Sequence, residues 1–139
     1  MIKNSEICKK ILNTLINISS RKTTKGYAIS TLDSLIKKLE ERYNFLKHIE
    51  IKDTRFLETD EPVTVMSGIN IVRSDDVGDA LYDIIRSMNT VLGKNAGHFF
   101  IKELRNSIGE LYYSTIEDMG LDLGLMQLEH EIDELEKKL

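Results

Sequence analysis

Hydrophobic residues recur at intervals of three and four along most of this chain and alternate along one stretch between Ile49 and Ile71. The first period is that of a helix burying one stripe, the second that of a half-buried strand. Ile7, Cys8, Ile11, Leu12 and Leu15 predict a first helix to about Ile18, capped by Asn4 or Ser5, with Lys9, Lys10 and Asn13 on its wet side. The polar run Ser19 to Gly26 reads as a basic loop. Leu32, Leu35, Ile36, Leu39, Tyr43 and Leu46 predict a second helix from about Tyr27 to Lys47, with Lys37 and Glu41 paired four apart. Ile49 with Ile51, Val63 with Val65 and Ile69 with Ile71 then predict short strands near 48–52, 62–66 and 69–72. Pro62 opens an edge strand in this reading, and Ser67-Gly68 makes a tight turn.

Ser74 caps a third helix whose first turn carries Asp75 and Asp76, where the helix dipole favours negative charge. Its stripe Val77, Ala80, Leu81, Ile84, Ile85, Met88, Val91 and Leu92 ends at Gly93. Asn95 caps a fourth helix bearing Ala96, Phe99, Phe100, Ile101, Leu104, Ile108, Leu111 and Ile116. Gly109 inside it costs about 1 kcal/mol relative to alanine, which a second backbone crossing closely there would explain. Gly120 stops this helix. The last helix sets Leu125, Leu128, Ile132, Leu135 and Leu139 at spacings of three, four, three and four, a heptad seam of two repeats. Such a seam packs either on its own domain or against a second subunit.

The whole pattern predicts an α+β, predominantly helical fold: about five helices, with a small two- or three-stranded antiparallel sheet inserted between the second and third. At 139 residues the chain fits one core. Residues 1–124 form a helix-rich domain with the β insert at about 48–72, and residues 125–139 a helix available for dimerisation. Ser74 to Gly120 is the expected scaffold.

Composition narrows the function classes. Hydrophobic content of 41% and charged content of 30% are those of a globular protein with much exposed helix. No apolar run approaches the roughly 20 residues of a membrane span, and the charged opening Met1-Ile2-Lys3-Asn4-Ser5-Glu6 lacks the form of a signal peptide. The expectation is a cytoplasmic protein without a membrane partner. Cys8, the single cysteine, forms neither an intramolecular disulfide nor a cysteine-based zinc site, and its face makes it a buried hydrophobe. The net charge of −4 divides unequally: residues 1–59 carry twelve Lys and Arg against seven Asp and Glu, residues 60–139 seven against sixteen. Opposed halves attract each other within a fold or across a dimer, or the basic half meets nucleic acid.

Candidate chemistry is sparse. No phosphate-binding glycine loop is present. His48, His98 and His130 lack metal-pair spacing, and adjacent residues in Glu129-His130-Glu131 point about 100° apart on a helix. No cofactor, metal or catalytic residue is therefore assigned, and the chain is read as a non-enzyme. Asp76, Asp79 and Asp83 share one helix face, and His98, Lys102 and Arg105 form a basic stripe on the next helix. These are candidate recognition surfaces. Arg21, Lys22 and Lys25 in the basic loop are candidates for gripping phosphate or nucleic acid.

Lys102-Glu103-Leu104-Arg105-Asn106-Ser107 resembles the phosphoacceptor box of sensor histidine kinases in its Glu-Leu-Arg-Asn core. Lysine stands where that family has its histidine and serine where it has proline, so the resemblance implies no phosphotransfer. Two helices followed by strands also resemble part of a winged-helix domain, without the compact third helix that precedes the wing. The leading expectation is a non-catalytic interaction or regulatory module that pairs with itself through its C-terminal helix, with another protein as a further partner at its recognition surfaces. The alternatives are a nucleic-acid-binding regulator using the basic half, and a small-molecule sensor with a pocket near Phe99, Phe100 and Tyr112.

Overall fold

The structure, a computed structural model, describes residues 2–53, 61–96 and 100–138. Its elements are α1 (Asn4–Lys22), α2 (Lys25–Leu39), a 3-10 helix (Asn44–His48), β1 (Ile49–Ile51), β2 (Val63–Val65), a second 3-10 helix (Ser67–Ile71), α3 (Ser74–Ala96), α4 (Phe100–Asp118) and α5 (Leu123–Lys138). This is the predominantly helical α+β arrangement, with a two-stranded antiparallel sheet between α2 and α3. Ile49 pairs with Val65, Glu50 with Thr64 and Ile51 with Val63.

The hub is α1 rather than the Ser74–Gly120 pair. Its buried positions, Ile7 and Ile11 through Leu12 and Leu15 to Ile16, cover an arc of roughly 200° at 100° per residue. A helix buried so widely has several neighbours, and α1 touches α2, α3, α4, β2 and the second 3-10 helix. It also runs a turn past its expected end, through Ser19-Ser20-Arg21-Lys22, leaving only Thr23 and Thr24 of the expected basic loop. Ser19 is buried, and its carbonyl accepts from the Thr23 N–H (3.0 Å) and hydroxyl (2.8 Å), closing the helix. The Thr24 hydroxyl then caps α2 by accepting from the Tyr27 N–H.

Asn4 does not cap α1; Lys3 occupies that position without a side-chain bond. Instead the buried Asn4 amide donates to the Ile69 and Val72 carbonyls (3.1 and 2.9 Å), while the Asn70 side chain accepts from the Ser5 N–H at 2.8 Å. The start of α1 is thus satisfied by the second 3-10 helix. This segment replaces the third expected strand. Residues two apart on a 3-10 helix lie about 240° apart, so Ile69 is buried while Ile71 is 93% exposed.

Helix α2 ends at Leu39, whose carbonyl accepts from the N–H groups of Arg42 and Tyr43 as the chain turns into the first 3-10 helix. Tyr43 and Leu46 therefore reach the core from outside the helix, and Lys37 pairs with Asp33 (2.9 Å) rather than with Glu41. Helix α3 continues through Gly93 and Asn95 to Ala96. An interior glycine costs only about 1 kcal/mol, which the buried stripe from Val77 to Leu92 outweighs. Val91 and Leu111, assigned to buried stripes by spacing, are exposed.

The close backbone approach expected at Gly109 lies at another glycine. Gly109 interrupts α4 at φ 82°, ψ 167°, a conformation that favours glycine, and an added Cβ there would meet nothing within 4 Å. The close backbone approach is at Gly78, where a Cβ would collide with the Met119 carbonyl oxygen. Gly78→Ala is therefore expected to lower unfolding free energy in urea by about 1–3 kcal/mol, since backbone rather than a flexible side chain must yield. Asn4→Ala, which takes the side-chain donor from the Val72 carbonyl and leaves the Ile69 carbonyl only the Val72 N–H, should cost about 1–3 kcal/mol in the same measurement.

Candidate functional site

The last helix is set by a tight chain reversal. Gly120 adopts φ 87°, its N–H donates to the Glu117 carbonyl, and the Leu121 N–H donates to Ile116 (both 2.9 Å). This is a Schellman closure, and Leu121 and Ile116, both buried, supply its hydrophobic contact. Asp122 caps α5 by accepting from the Leu125 N–H at 3.0 Å.

From that start, α5 presents two faces. Leu123, Met126 and Gln127 are buried, and His130 Nδ1 lies 3.1 Å from the Asn89 amide of α3. The opposite side carries the expected seam. Leu125, Leu128, Ile132 and Leu135 are 52, 51, 46 and 64% exposed. At 100° per residue their mean direction lies roughly 160° from that of the buried face. Leu139 lies outside the described residues. Tyr82 of α3 donates to Glu129 at 2.9 Å, and Gln127 donates to Glu131 at 3.0 Å, fixing a carboxylate on each side of the stripe.

Between α4 and α5 runs an open groove of about 420 Å³, lined by Ile101, Lys102, Arg105, Tyr113, Leu128 and Glu131 among others. Two members of the expected basic stripe meet here, with the Arg105 guanidinium 4.4 Å from the Tyr113 ring centroid. His98 lies outside the described residues.

The acidic ridge is partly consumed by the fold. Asp83 accepts from the Tyr43 hydroxyl at 2.5 Å and lies 3.5 Å from Arg42, while Asp76 and Asp79 stay exposed. Asp75 pairs with its neighbour Arg73 at 2.8 Å, which holds its carboxyl below the usual range. Arg21, Lys22 and Lys25 do not share a loop. Arg21 and Lys22 end α1, Lys25 begins α2, and Arg21 bridges to Glu103 of α4 at 3.2 Å. Arg21–Glu103, Arg42–Asp83 and Lys9–Glu61 each join the basic half to the acidic half, so at least part of the charge division acts within one chain.

The remaining chemistry is quiet. The His48 ring packs over Gly68, where a Cβ would approach it to 2.6 Å. Among the described residues no group of three or more His, Cys, Asp and Glu is gathered to hold a metal ion, and no helix is long and apolar enough to cross a membrane. Phe100 is fully buried, Tyr112 lines a surface cleft against α1, and Phe99 lies outside the described residues. No protein-family model, curated protein or solved structure matches the chain.

Burial pushes the Cys8 thiol from 9.0 up to about 12, and burial together with the bond to Asp83 pushes the Tyr43 hydroxyl from 10.0 up to about 12. Both folded pKa values exceed the unfolded ones. Their contribution to stability is thus complete below about pH 9 and is lost as pH rises towards 12. Urea midpoints should fall across that window, and fall less steeply in Cys8→Ala/Tyr43→Phe.

Proposed function

We propose that the protein is a non-catalytic, cytoplasmic interaction module whose working surface is the outward stripe of α5, and that it pairs with itself across that stripe at high concentration. One observation carries this reading: α5 is apolar on two opposite faces, and its own chain covers only one. Finishing the burial of four half-exposed Leu and Ile side chains contributes about 0.8–1.5 kcal/mol each per partner. That total is comparable with the roughly 4–15 kcal/mol cost of association, so self-pairing depends on concentration. The nucleic-acid alternative has less support, because Arg21 is engaged by Glu103 and the basic residues are dispersed. The sensor alternative has less as well, because Phe100 and Tyr112 do not share a pocket.

Light scattering across a concentration series should show mass rising from monomer towards dimer. Leu128→Ser/Ile132→Ser should hold the chain at monomer mass without lowering its melting temperature. Monomer mass for the unaltered chain at every concentration would remove self-pairing from the proposal.

A further inference from the structure

We infer that the α5 stripe selects a basic amphipathic helix of another protein over a second copy of this chain. This rests on the reading of α5 as the docking surface and adds the chemistry of the occupant.

Charge at the borders of the stripe sets this preference. Helix α5 carries Glu129, Glu131, Asp133, Glu134 and Glu136 against Lys137 and Lys138, both in its last turn. With Leu125 and Ile132 at heptad position a and Leu128 and Leu135 at d, Glu129 and Glu136 fall at e, and Glu131 and Lys138 at g. These border positions meet their counterparts when two helices pair. In a parallel pair, Glu131 faces the second copy's Glu136, and symmetry repeats the conflict. In the antiparallel register that closes all four apolar layers, Glu129 faces Glu129, Glu131 faces Glu131, and Asp122 faces Glu136. Lys138 then meets Gly124. Neither orientation sets a lysine opposite a carboxylate.

The borders are also held in place. Tyr82 fixes Glu129 and Gln127 fixes Glu131, so these two carboxylates do not swing freely away from an approaching helix. Three of the chain's own cations line the same two clefts as these carboxylates. Lys102 and Arg105 of α4 line the groove beside α5, Arg105 against the Tyr113 ring, and Arg86 of α3 lines the cleft on the other side. An incoming helix with leucines at a and d and lysines at e and g satisfies the stripe and both borders at once. Like-charge borders reject the wrong helix as much as opposite charges attract the right one.

The test uses the full chain and two synthetic helical peptides with the same leucine stripe, one with Lys and one with Glu at e and g. By fluorescence anisotropy the Lys peptide should bind about tenfold tighter at low salt, an advantage that high salt erodes. Glu131→Lys/Glu136→Lys should reverse the preference while the stripe is intact. Equal affinity for the two peptides, or a salt-insensitive homodimer that neither peptide displaces, would overturn the charge selection and leave α5 as a docking surface. If neither peptide binds and Leu128→Ser/Ile132→Ser alters no association, the docking reading fails with it. Melting curves separate either result from misfolding.

Discussion

The carboxamide of Asn4 is the point on which the architecture turns. It is a buried polar group that must find partners, and it finds them in two carbonyls of the segment that leads into α3, with the Ser74 hydroxyl 3.5 Å from its oxygen. One side chain thus joins the first turn of α1 to the approach and first residue of α3. With that end fixed, α1 becomes an axle around which α2, α3 and α4 are placed, and the small sheet has a helix to lie on. A two-stranded ribbon has little independent stability in water, so β1 and β2 depend on that support.

The helical elements were legible because their buried faces repeat with helical period, and the two strands because β-branched residues alternate on them. What escaped reading has three physical origins. Helix ends depend on local bonds that spacing does not encode: Ser19 and Thr23 extend α1, while Glu40 to Tyr43 curtail α2 by turning. Ile69 and Ile71 imitate a strand, yet the carbonyls around them are claimed by Asn4 in a 3-10 conformation. Gly78 and Gly109 look alike as helix interruptions, although one is required by proximity and the other by a positive φ. Nothing in a single sequence separates those causes.

The apolar stripe of the candidate site was legible in outline. The spacing of Leu125, Leu128, Ile132 and Leu135 gave the stripe, and the Gly120 stop gave the place where its helix begins. The competing face of Leu123 and Met126 was obscured by its shortness, so only the three-dimensional arrangement shows which side is inward. The opposed charges of the two halves do meet in cross-half ion pairs, yet composition does not separate Asp83 and Arg21, engaged within the fold, from Asp76 and Asp79, which remain exposed.

The break at Gly109 also bears on mechanics. A continuous α4 would act as a strut, carrying any pull on the C-terminal helix straight to Phe100 and the core. The interruption breaks the backbone continuity, and the two halves are joined across it by side chains such as Arg105 against the Tyr113 ring. Beyond it, the Schellman turn welds the second half of α4 to α5, and this unit rests on α3 through Met119 at Gly78, Tyr82 at Glu129 and Asn89 at His130. Helix α5 is thereby tied to α3, whose far end is anchored beside Asn4, the residue that locates α1.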